Sequence, residues 1–488
     1  MQFNSLYFLI FFLPLTLAGY YGLAGKGRKN LADWLLILAS LIFYGAADVW
    51  YPVMLCILIC LNWGIASRIR RKSDGGRTWM MFGILVNVGF LGFFKYTNFF
   101  IENLNILLRK DWQAVNLILP LGISFIIFSQ ISFLVDVHRG TIPGTGEQEV
   151  CFREYVLFSV FFPKLTQGPI ASMRDFLPEI RAKGRQVLSS EKMVTGIQMF
   201  TCGLFKKLVL ADPLGSMVTQ YYSNFTYRSN VDSFVVMLAY TFQIYLDFSG
   251  YSDMAVGLAA MLGIRLRPNF DSPYKAGTIT EFWRRWHMSL TAFLREYIYF
   301  PLGGSRKGKI RTYLNIMAVF LISGIWHSSN WTFVLWGLFH GLAQVAERLL
   351  GKFYQRVWLP IRWCITFGAV NVLWMLFRSS SIAEFQRFWW HLRVDKSWYY
   401  SQDLASCLHV PGIRAVLSIL QLSASDQVTG IVSAAVFLLG CLGLCLVPPN
   451  NQRRKYRATP WTLAVTVGML LWCLLSMSGM STFIYNDF

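Results

Sequence analysis

The chain has 488 residues, of which 55% are hydrophobic and only 14% are charged, with a formal net charge of +20. Soluble domains carry about 25% charged residues, so this composition excludes an ordinary soluble protein. The basic residues lie in short loops between apolar runs, as the positive-inside rule expects of a membrane protein. Nucleic-acid binding is therefore the weaker interpretation of the charge.

Five apolar runs in the first part of the chain are long enough to cross a bilayer core of about 30 Å. These predicted spans lie near residues 3–24, 31–49, 50–67, 78–94 and 117–136. Basic clusters follow the first and third spans, which places those two loops in the cytoplasm and the N-terminus outside. The N-terminus has no basic region and no cleavage site, which predicts a retained first span rather than a cleaved signal.

Two later segments of this region do not fit simple spans. Lys95, Arg109 and Lys110 lie between the fourth and fifth spans, against the charge rule, and predict a re-entrant or interfacial piece. The apolar stretch Tyr155–Leu165 is too short to cross and runs into a Pro- and Gly-containing segment that ends at Ile170. We expect this stretch to be re-entrant or interfacial as well, covered by protein or facing a cavity.

The next predicted spans, near 192–211 and 231–263, bring carboxylates into the membrane. The second contains Asp247 and Asp253 within an otherwise apolar run. Charged groups at this depth are costly and need a partner or a polar cavity. Two explanations stay open: a broken helix that lines a polar interior, or hydrogen bonding between neighbouring helices.

Residues 265–311 are basic and aromatic, which favours the cytoplasmic side. Thr278 and Glu281 have the spacing of a capping box and predict a helix that runs to about Phe300. On such a helix Trp283 and His287 would share one face.

The remainder of the chain predicts spans near 312–326, 331–350, 362–378, 428–447 and 460–480. Residues 379–427 mix aromatic with charged residues and predict an outer amphipathic segment. The total is about 12 crossings, with both termini outside. We therefore predict an all-α polytopic membrane protein in which residues 1–488 form a single membrane domain surrounded by lipid.

Two of the six histidines lie where ionisable groups are costly, and they are the first candidates for chemistry. His287 lies in the basic aromatic segment, and His327 ends the apolar run 312–326. An imidazole can accept and return a proton near neutral pH. From the residues alone, a histidine that is merely hydrogen-bonded at a helix turn is an equal alternative for His327. We predict no metal site, because most of the nine cysteines fall in apolar runs suited to packing.

Basic pairs could also meet an anionic substrate. Lys206, Lys207, Arg284 and Arg285 are candidates for binding the phosphates of a coenzyme A donor. Positive-inside topology is the simpler explanation of the same charge.

Five segments resemble motifs of the membrane-bound O-acyltransferase family, in the family's order. They are Leu119–Phe125, Phe161–Ile170, Asp247–Ala255, Phe282–Leu290 and Gly324–His327. Residues 119–345 would then be the catalytic core. The nearest branch is similar to bacterial alginate O-acetyltransferases and, more distantly, to the D-alanyl transfer protein of teichoic acid modification.

The resemblance implies a ring of about 11–12 helices with re-entrant pieces around a central funnel, in the bacterial inner membrane. It implies His327 as the active-site histidine and general base, and His287 as the second functional histidine. It further implies acyl transfer from a cytoplasmic thioester, with acetyl-CoA as the expected donor and no bound cofactor. A periplasmic acyltransferase would then pass the acetyl group to a polysaccharide. The alternatives are D-alanyl transfer from a carrier protein, or a non-catalytic transporter or scaffold of a polysaccharide secretion complex.

The C-terminal segment 482–488 is an aromatic tail with one hydroxyl, on Tyr485, and the charge rule places it outside. It resembles the tyrosine-containing ends of this bacterial branch, which implies transient acylation of Tyr485 as a tyrosyl ester. A covalent relay would divide one difficult transfer into two steps. The alternative is a tail that only docks a partner protein.

Overall fold

A computed structural model describes residues 1–71, 75–142, 149–394, 399–408, 419, 425–454, 456–477 and 483–484. Every regular element within these residues is a helix, so the all-α prediction is confirmed. The first half contains α1 (Phe8–Gly25), α2 (Lys29–Gly45), α3 (Trp50–Arg70), α4 (Gly76–Leu108), α5 (Ile123–Arg139), α6 (Phe152–Val160), α7 (Phe162–Leu165), α8 (Met173–Arg181) and α9 (Ser190–Ser223). The second half contains α10 (Asn230–Met261), α11 (Ile279–Arg285), α12 (Met288–Leu294), α13 (Lys309–His327), α14 (Trp331–Arg356), α15 (Leu359–Arg378), α16 (Ile382–Arg393), α17 (Gln402–Cys407), α18 (Asp426–Leu446) and α19 (Pro460–Leu475).

Seven of the described helices are long and apolar enough to cross a membrane: α1, α3, α4, α9, α10, α15 and α18. The chain is therefore a multi-pass membrane protein. Helices α2, α5, α13, α14 and α19 lie at the other predicted spans but are shorter or carry more charge at their ends. The total of about 12 crossings stays a prediction.

The helix at the fourth predicted span, near residues 78–94, is longer than predicted. Helix α4 runs unbroken for 33 residues, from Gly76 to Leu108, and Lys95 lies within it. The irregular backbone begins only after Arg109, whose φ of 52° ends the helix in the left-handed conformation. Lys95 is accommodated there because its ammonium finds acceptors on a neighbouring helix, described below.

The break predicted at Asp247–Asp253 was wrong, because α10 is continuous through both carboxylates. The other explanation, bonding between helices, is confirmed. Asp253 accepts from Lys206 Nζ at 2.7 Å, and Asp247 accepts from Lys207 Nζ at 2.7 Å. Both lysines lie on α9, so two ion pairs satisfy the buried charges without any interruption of the helix.

A further correction concerns the helix that begins after Thr278. Thr278 caps it as predicted, since its Oγ1 accepts from the Glu281 amide at 3.0 Å. The helix ends at Arg285, however, and a new one starts at Met288. His287 has a φ of 44°, in the left-handed region, so Trp283 and His287 do not share a helical face. The amphipathic segment 379–427 is helical over α16 and α17, while residues 395–398, 409–418 and 420–424 lie outside the described part.

Close packing against α14 determines the position of the C-terminal end of α13. A Cβ on Gly324 would lie 2.3 Å from the Phe333 carbonyl oxygen, and one on Gly337 would lie 2.4 Å from that of Phe320. Small residues let the backbones of membrane helices approach this closely. His327 follows Gly324 by three residues, so this crossing fixes where the imidazole lies.

This close approach predicts that Gly324→Ala destabilises the protein. The added methyl group forces α13 and α14 apart, at an expected cost of about 1–3 kcal/mol. Thermal unfolding in detergent measures the effect, with Gly368→Ala as the matched control, because a Cβ at Gly368 meets no atom within 4 Å. Equal melting temperatures for the two variants would show that the α13–α14 contact does not limit stability.

Candidate active site

His327 is the last residue of α13 and is only 4% exposed. Its ring is surrounded by aromatic side chains. The ring centroid lies 4.8 Å from that of Trp326, 5.2 Å from that of Trp336 and 5.3 Å from that of Phe377. The imidazole therefore does not face lipid. His327 lines a cavity of about 100 Å³, the histidine cavity, together with Lys95, Thr166 and residues 119–125, which end a loop and begin α5.

His287 is fully buried in the turn between α11 and α12. Its Nδ1 lies 3.0 Å from Asn269 Oδ1. The same oxygen accepts from the Ser289 hydroxyl at 2.9 Å and from the Ser289 amide at 3.3 Å, while Asn269 Nδ2 donates to Ser252. Because a backbone amide can only donate, this atom of Asn269 is the carbonyl oxygen, and His287 Nδ1 carries the proton.

This tautomer leaves the second ring nitrogen of His287 as a proton acceptor. Nε2 is buried and has no hydrogen-bond partner within the described part of the chain. A buried polar atom without a partner is costly, and active sites are where such costs are tolerated. Asn269 thus fixes the ring in the state that a base requires.

The rings of both histidines lie close to the ring of Trp326. The ring centroid of Trp326 lies 6.3 Å from that of His287 and 4.8 Å from that of His327. Trp326 also stacks on Phe128 at 5.0 Å, and Phe128 stacks on Phe293 at 4.1 Å. We call this stack, Trp326–Phe128–Phe293, the aromatic wall.

A second cavity lies at the other end of the aromatic wall, where Phe293 lines it. Its volume is about 540 Å³, and it is lined by Phe293, Ser289 and four arginines: Arg174, Arg267, Arg284 and Arg295. We call it the arginine cavity. Asp175 and Glu296 also line it, but the arginines outnumber them, so the cavity suits an anionic molecule. Ser289 lines the arginine cavity and shares Asn269 with His287, which connects the buried histidine to this space.

The predicted donor-binding residues separate into two groups. Arg284 lines the arginine cavity. Arg285 is instead held by Glu281, with a nitrogen–oxygen distance of 2.8 Å. Lys206 and Lys207 form the ion pairs with α10, and Lys207 also pairs with Asp212 at 2.9 Å. The structure gives these three residues protein partners, so Arg284 is the predicted residue that lies beside open space.

Tyr485 lies outside the described residues, but the two residues before it are placed. Phe483 is buried edge-on against Tyr251, with 5.0 Å between ring centroids, and Lys207 Nζ lies 4.5 Å from its ring centroid. The Ile484 amide donates to Asp247 at 3.0 Å. Tyr251 in turn bonds to Thr166 at 2.6 Å, and Thr166 lines the histidine cavity. The start of the tail is therefore two side-chain contacts from that cavity.

Sequence reasoning missed two residues of this site. Asn269 and Ser289 gave no signal, because a single amide and a hydroxyl in a polar segment are ordinary. A third buried histidine, His340, lies nearby: its Nδ1 accepts from Trp283 Nε1 at 3.2 Å, and its ring packs on Trp336 at 4.8 Å.

Comparison with known proteins agrees with the resemblance. Residues 147–385, which include both histidines, match the membrane-bound O-acyltransferase (MBOAT) family. The chain is 37% identical to a peptidoglycan O-acetyltransferase of Helicobacter pylori, over 78% of this chain and 77% of that protein. It is 35% identical to the probable alginate O-acetylase AlgI of Pseudomonas aeruginosa, over 82% and 76%. A teichoic acid D-alanyltransferase of Bacillus subtilis is 25% identical over 52% and 66%.

The family match and these relatives make this multi-pass helical protein a membrane enzyme of acyl transfer. The chain belongs to the membrane-bound O-acyltransferase family. Of the relatives given above, the two at 37% and 35% identity are named as a peptidoglycan O-acetyltransferase and a probable alginate O-acetylase, and the teichoic acid D-alanyltransferase is more distant.

Proposed function

We propose that this enzyme takes an acetyl group from cytoplasmic acetyl-CoA and passes it, through the bacterial inner membrane, to an acceptor hydroxyl on the outer side. A periplasmic acyltransferase then transfers the group to a cell-envelope polysaccharide. The observation that carries this proposal is the arrangement of the two cavities, which lie at opposite ends of the aromatic wall, close to His287 and His327.

The charge distribution supports the assignment of sides. Helix α13 starts at Lys309, next to the basic segment 265–311 that favours the cytoplasm, and ends at His327. At roughly 1.5 Å per residue, its ends are about 27 Å apart, close to the thickness of a bilayer core. Tyr44 and Tyr51, beside the turn that the charge rule places outside, donate to the Leu121 and Leu119 carbonyls of the histidine cavity wall. The histidine cavity would then face outward, and the arginine cavity inward.

The arginine cavity suits the donor. Ligand pockets commonly measure about 300–1,000 Å³, and this cavity falls within that range. Coenzyme A carries phosphates, which arginines bind with charge-assisted hydrogen bonds. Its thioester lies at the end of a long arm, which can extend from the arginines toward the two histidines.

The reaction then needs one base and one acceptor. The acceptor hydroxyl gives its proton to the neutral imidazole of His327 as its oxygen attacks the thioester carbonyl carbon. The tetrahedral intermediate collapses, the carbon–sulfur bond breaks, and the sulfur takes the proton back from the imidazolium. The products are an acetyl ester and free CoA thiol, and His327 is neutral again.

His287 supports the donor rather than the acceptor. Because its Nδ1 proton is held by Asn269, its Nε2 lone pair can accept a hydrogen bond from the donor arm or a proton, but it cannot polarise a carbonyl. Orientation of the donor and proton transfer are the two roles that fit this tautomer of His287.

Tyr485 is our proposed acceptor. Phe483 and Ile484 hold the tail beside Tyr251 and Asp247, and one further residue extends about 3.3–3.6 Å along the chain. The acetyl-tyrosine then presents the group to the periplasmic partner. Relatives at 35–37% identity favour acetyl over D-alanyl transfer, which stays the alternative.

Neighbouring arginines test the donor site. Arg284→Ala is expected to raise KM for acetyl-CoA by roughly tenfold or more, the effect of one lost hydrogen bond to a charged group. Arg285→Ala is the matched control, since Arg285 is bound to Glu281 and should leave KM within about twofold. Release of CoA thiol by the purified enzyme in proteoliposomes measures both values. Equal KM for the two variants would exclude Arg284 as a donor contact, and turnover only with a D-alanyl carrier protein would establish the alternative.

A further inference from the structure

Lys95 has an unusual place in the middle of the apolar helix α4. Its ammonium lies at the C-terminal end of α13, where Nζ donates to the Trp326 carbonyl at 2.8 Å and to the His327 carbonyl at 2.7 Å. The last carbonyls of a helix have no partner within the helix, and a cation there also interacts favourably with the helix dipole. Lys95 thus binds the backbone of the two residues whose side chains form the centre of the site.

Within the described residues, the carbonyl dipoles at the end of α13 balance the charge of Lys95. No carboxylate within 4 Å of its Nζ is found among the described residues. A lysine at membrane depth is costly and marks a functional position. An ammonium has three donors, and the two carbonyls use two of them. Lys95 and His327 both line the histidine cavity. The positive charge of the Lys95 ammonium therefore acts on the space in which the proposed reaction occurs.

We propose that Lys95 is a positioning residue of acyl transfer, an inference that rests on the function proposed above. It fixes the last turn of α13, and through it the imidazole of His327. Its charge also stabilises the negative charge that develops on the carbonyl oxygen during attack. Both effects are stronger in a cavity from which water is largely excluded.

The neighbouring residue shows what a purely structural contact looks like. Tyr96 lies on the same helix, and its hydroxyl donates to the Ile325 carbonyl at 2.7 Å. Tyr96 therefore links α4 to the same turn of α13 without any charge. If Lys95 only held α4 and α13 together, loss of its hydrogen bonds and loss of the Tyr96 hydrogen bond would lower activity to a similar extent.

The test compares Lys95→Met, Lys95→Gln, Lys95→Arg and Tyr96→Phe in the full-length enzyme, with acetyl-CoA as the donor and CoA release as the readout. Lys95→Met is expected to lower kcat by roughly 10²-fold or more, as expected for lost transition-state stabilisation, with KM for acetyl-CoA within twofold. Lys95→Arg keeps the charge and should recover most of kcat. Tyr96→Phe should stay within about threefold of the wild type, a size typical of a lost neutral hydrogen bond.

Lys95→Gln separates charge from hydrogen bonding, since an amide can still donate to a carbonyl. It provides a neutral variant even if Lys95→Met does not fold. A kcat close to that of the wild type in Lys95→Gln would overturn the electrostatic role, and equal losses in Lys95→Met and Tyr96→Phe would overturn the proposal as a whole. His327→Ala, assayed in parallel, distinguishes the two levels: if it is active, the proposed function fails, and if it is inactive while Lys95→Met is normal, only this inference fails.

Discussion

His327→Ala is expected to lower kcat for CoA release by roughly 10²–10⁴-fold, the usual contribution of a positioned general base. The imidazole is the proposed acceptor of the hydroxyl proton. Trp326, Trp336 and Phe377 surround it, and His327 lines the histidine cavity. Without it, the hydroxyl would have to attack the thioester with its proton still in place. Steady-state turnover of acetyl-CoA by purified protein in proteoliposomes measures the loss.

The matched control is His340→Gln. His340 is also fully buried, and it packs on the same Trp336, but it lies outside both cavities. Its replacement should leave kcat within a few-fold of the wild type, because it only repacks the aromatic cluster. A transporter or scaffold would show a different result, since His327→Ala would then leave the protein's contribution to polysaccharide acetylation intact.

Tyr485→Phe is expected to abolish acetylation of the polysaccharide while leaving the protein folded. The substitution removes one hydroxyl and keeps the aromatic ring, so docking of the tail through Phe483 and Ile484 is retained. The relay has no nucleophile in this variant. Acetylation of the polymer in cells measures the effect, and the melting temperature of the purified variant checks the fold.

Two further variants separate the relay from simple docking of a partner. Deletion of residues 485–488 should abolish acetylation under either hypothesis, whereas Tyr485→Phe abolishes it only if the hydroxyl carries the acetyl group. Tyr7→Phe is the control for loss of a tyrosine hydroxyl, since Tyr7 is exposed near the N-terminus, also on the predicted outer side. Wild-type acetylation in Tyr485→Phe would exclude the relay and leave the docking hypothesis.

The positions of the helices could be predicted because length and hydropathy determine which segments a bilayer accepts. Each predicted span has a helix at its place, and His327 lies at the end of α13 as its position after an apolar run indicated. The predictions of where helices are interrupted were wrong. Asp247 and Asp253 suggested a broken helix, yet Lys206 and Lys207 on α9 satisfy both. Partners 40 or more residues away in sequence leave no mark on local periodicity.

The site itself could be predicted only in part, and for the same physical reason. The break at His287 comes from its left-handed backbone, which the helical spacing of its neighbours concealed. Asn269, which sets the tautomer of His287, is an ordinary polar residue in the sequence. Lys95 did give a signal, since a charge next to an apolar run violates the topology rule. The structure explains this signal, because the carbonyls at the end of α13 accept hydrogen bonds from Lys95.

The aromatic wall links these residues to transport of the acyl group. Trp326 lines the histidine cavity, Phe293 lines the arginine cavity, and Phe128 stacks between their rings, so the stack is a candidate barrier between the two cavities. A membrane enzyme that moves a group between compartments needs such a barrier. The donor arm and the acceptor hydroxyl would meet at this barrier from opposite sides, which lets the acyl group cross while CoA does not.

The most direct test supplies acetyl-CoA to one face of oriented proteoliposomes at a time and measures acetyl transfer to the enzyme itself. We expect the wild type to release CoA and acquire an acetyl ester only when the donor is on the face of the arginine cavity. His327→Ala should acquire none from either face. Equal labelling from both faces, or labelling of His327→Ala at the wild-type rate, would contradict acyl transfer across the membrane with His327 as its base.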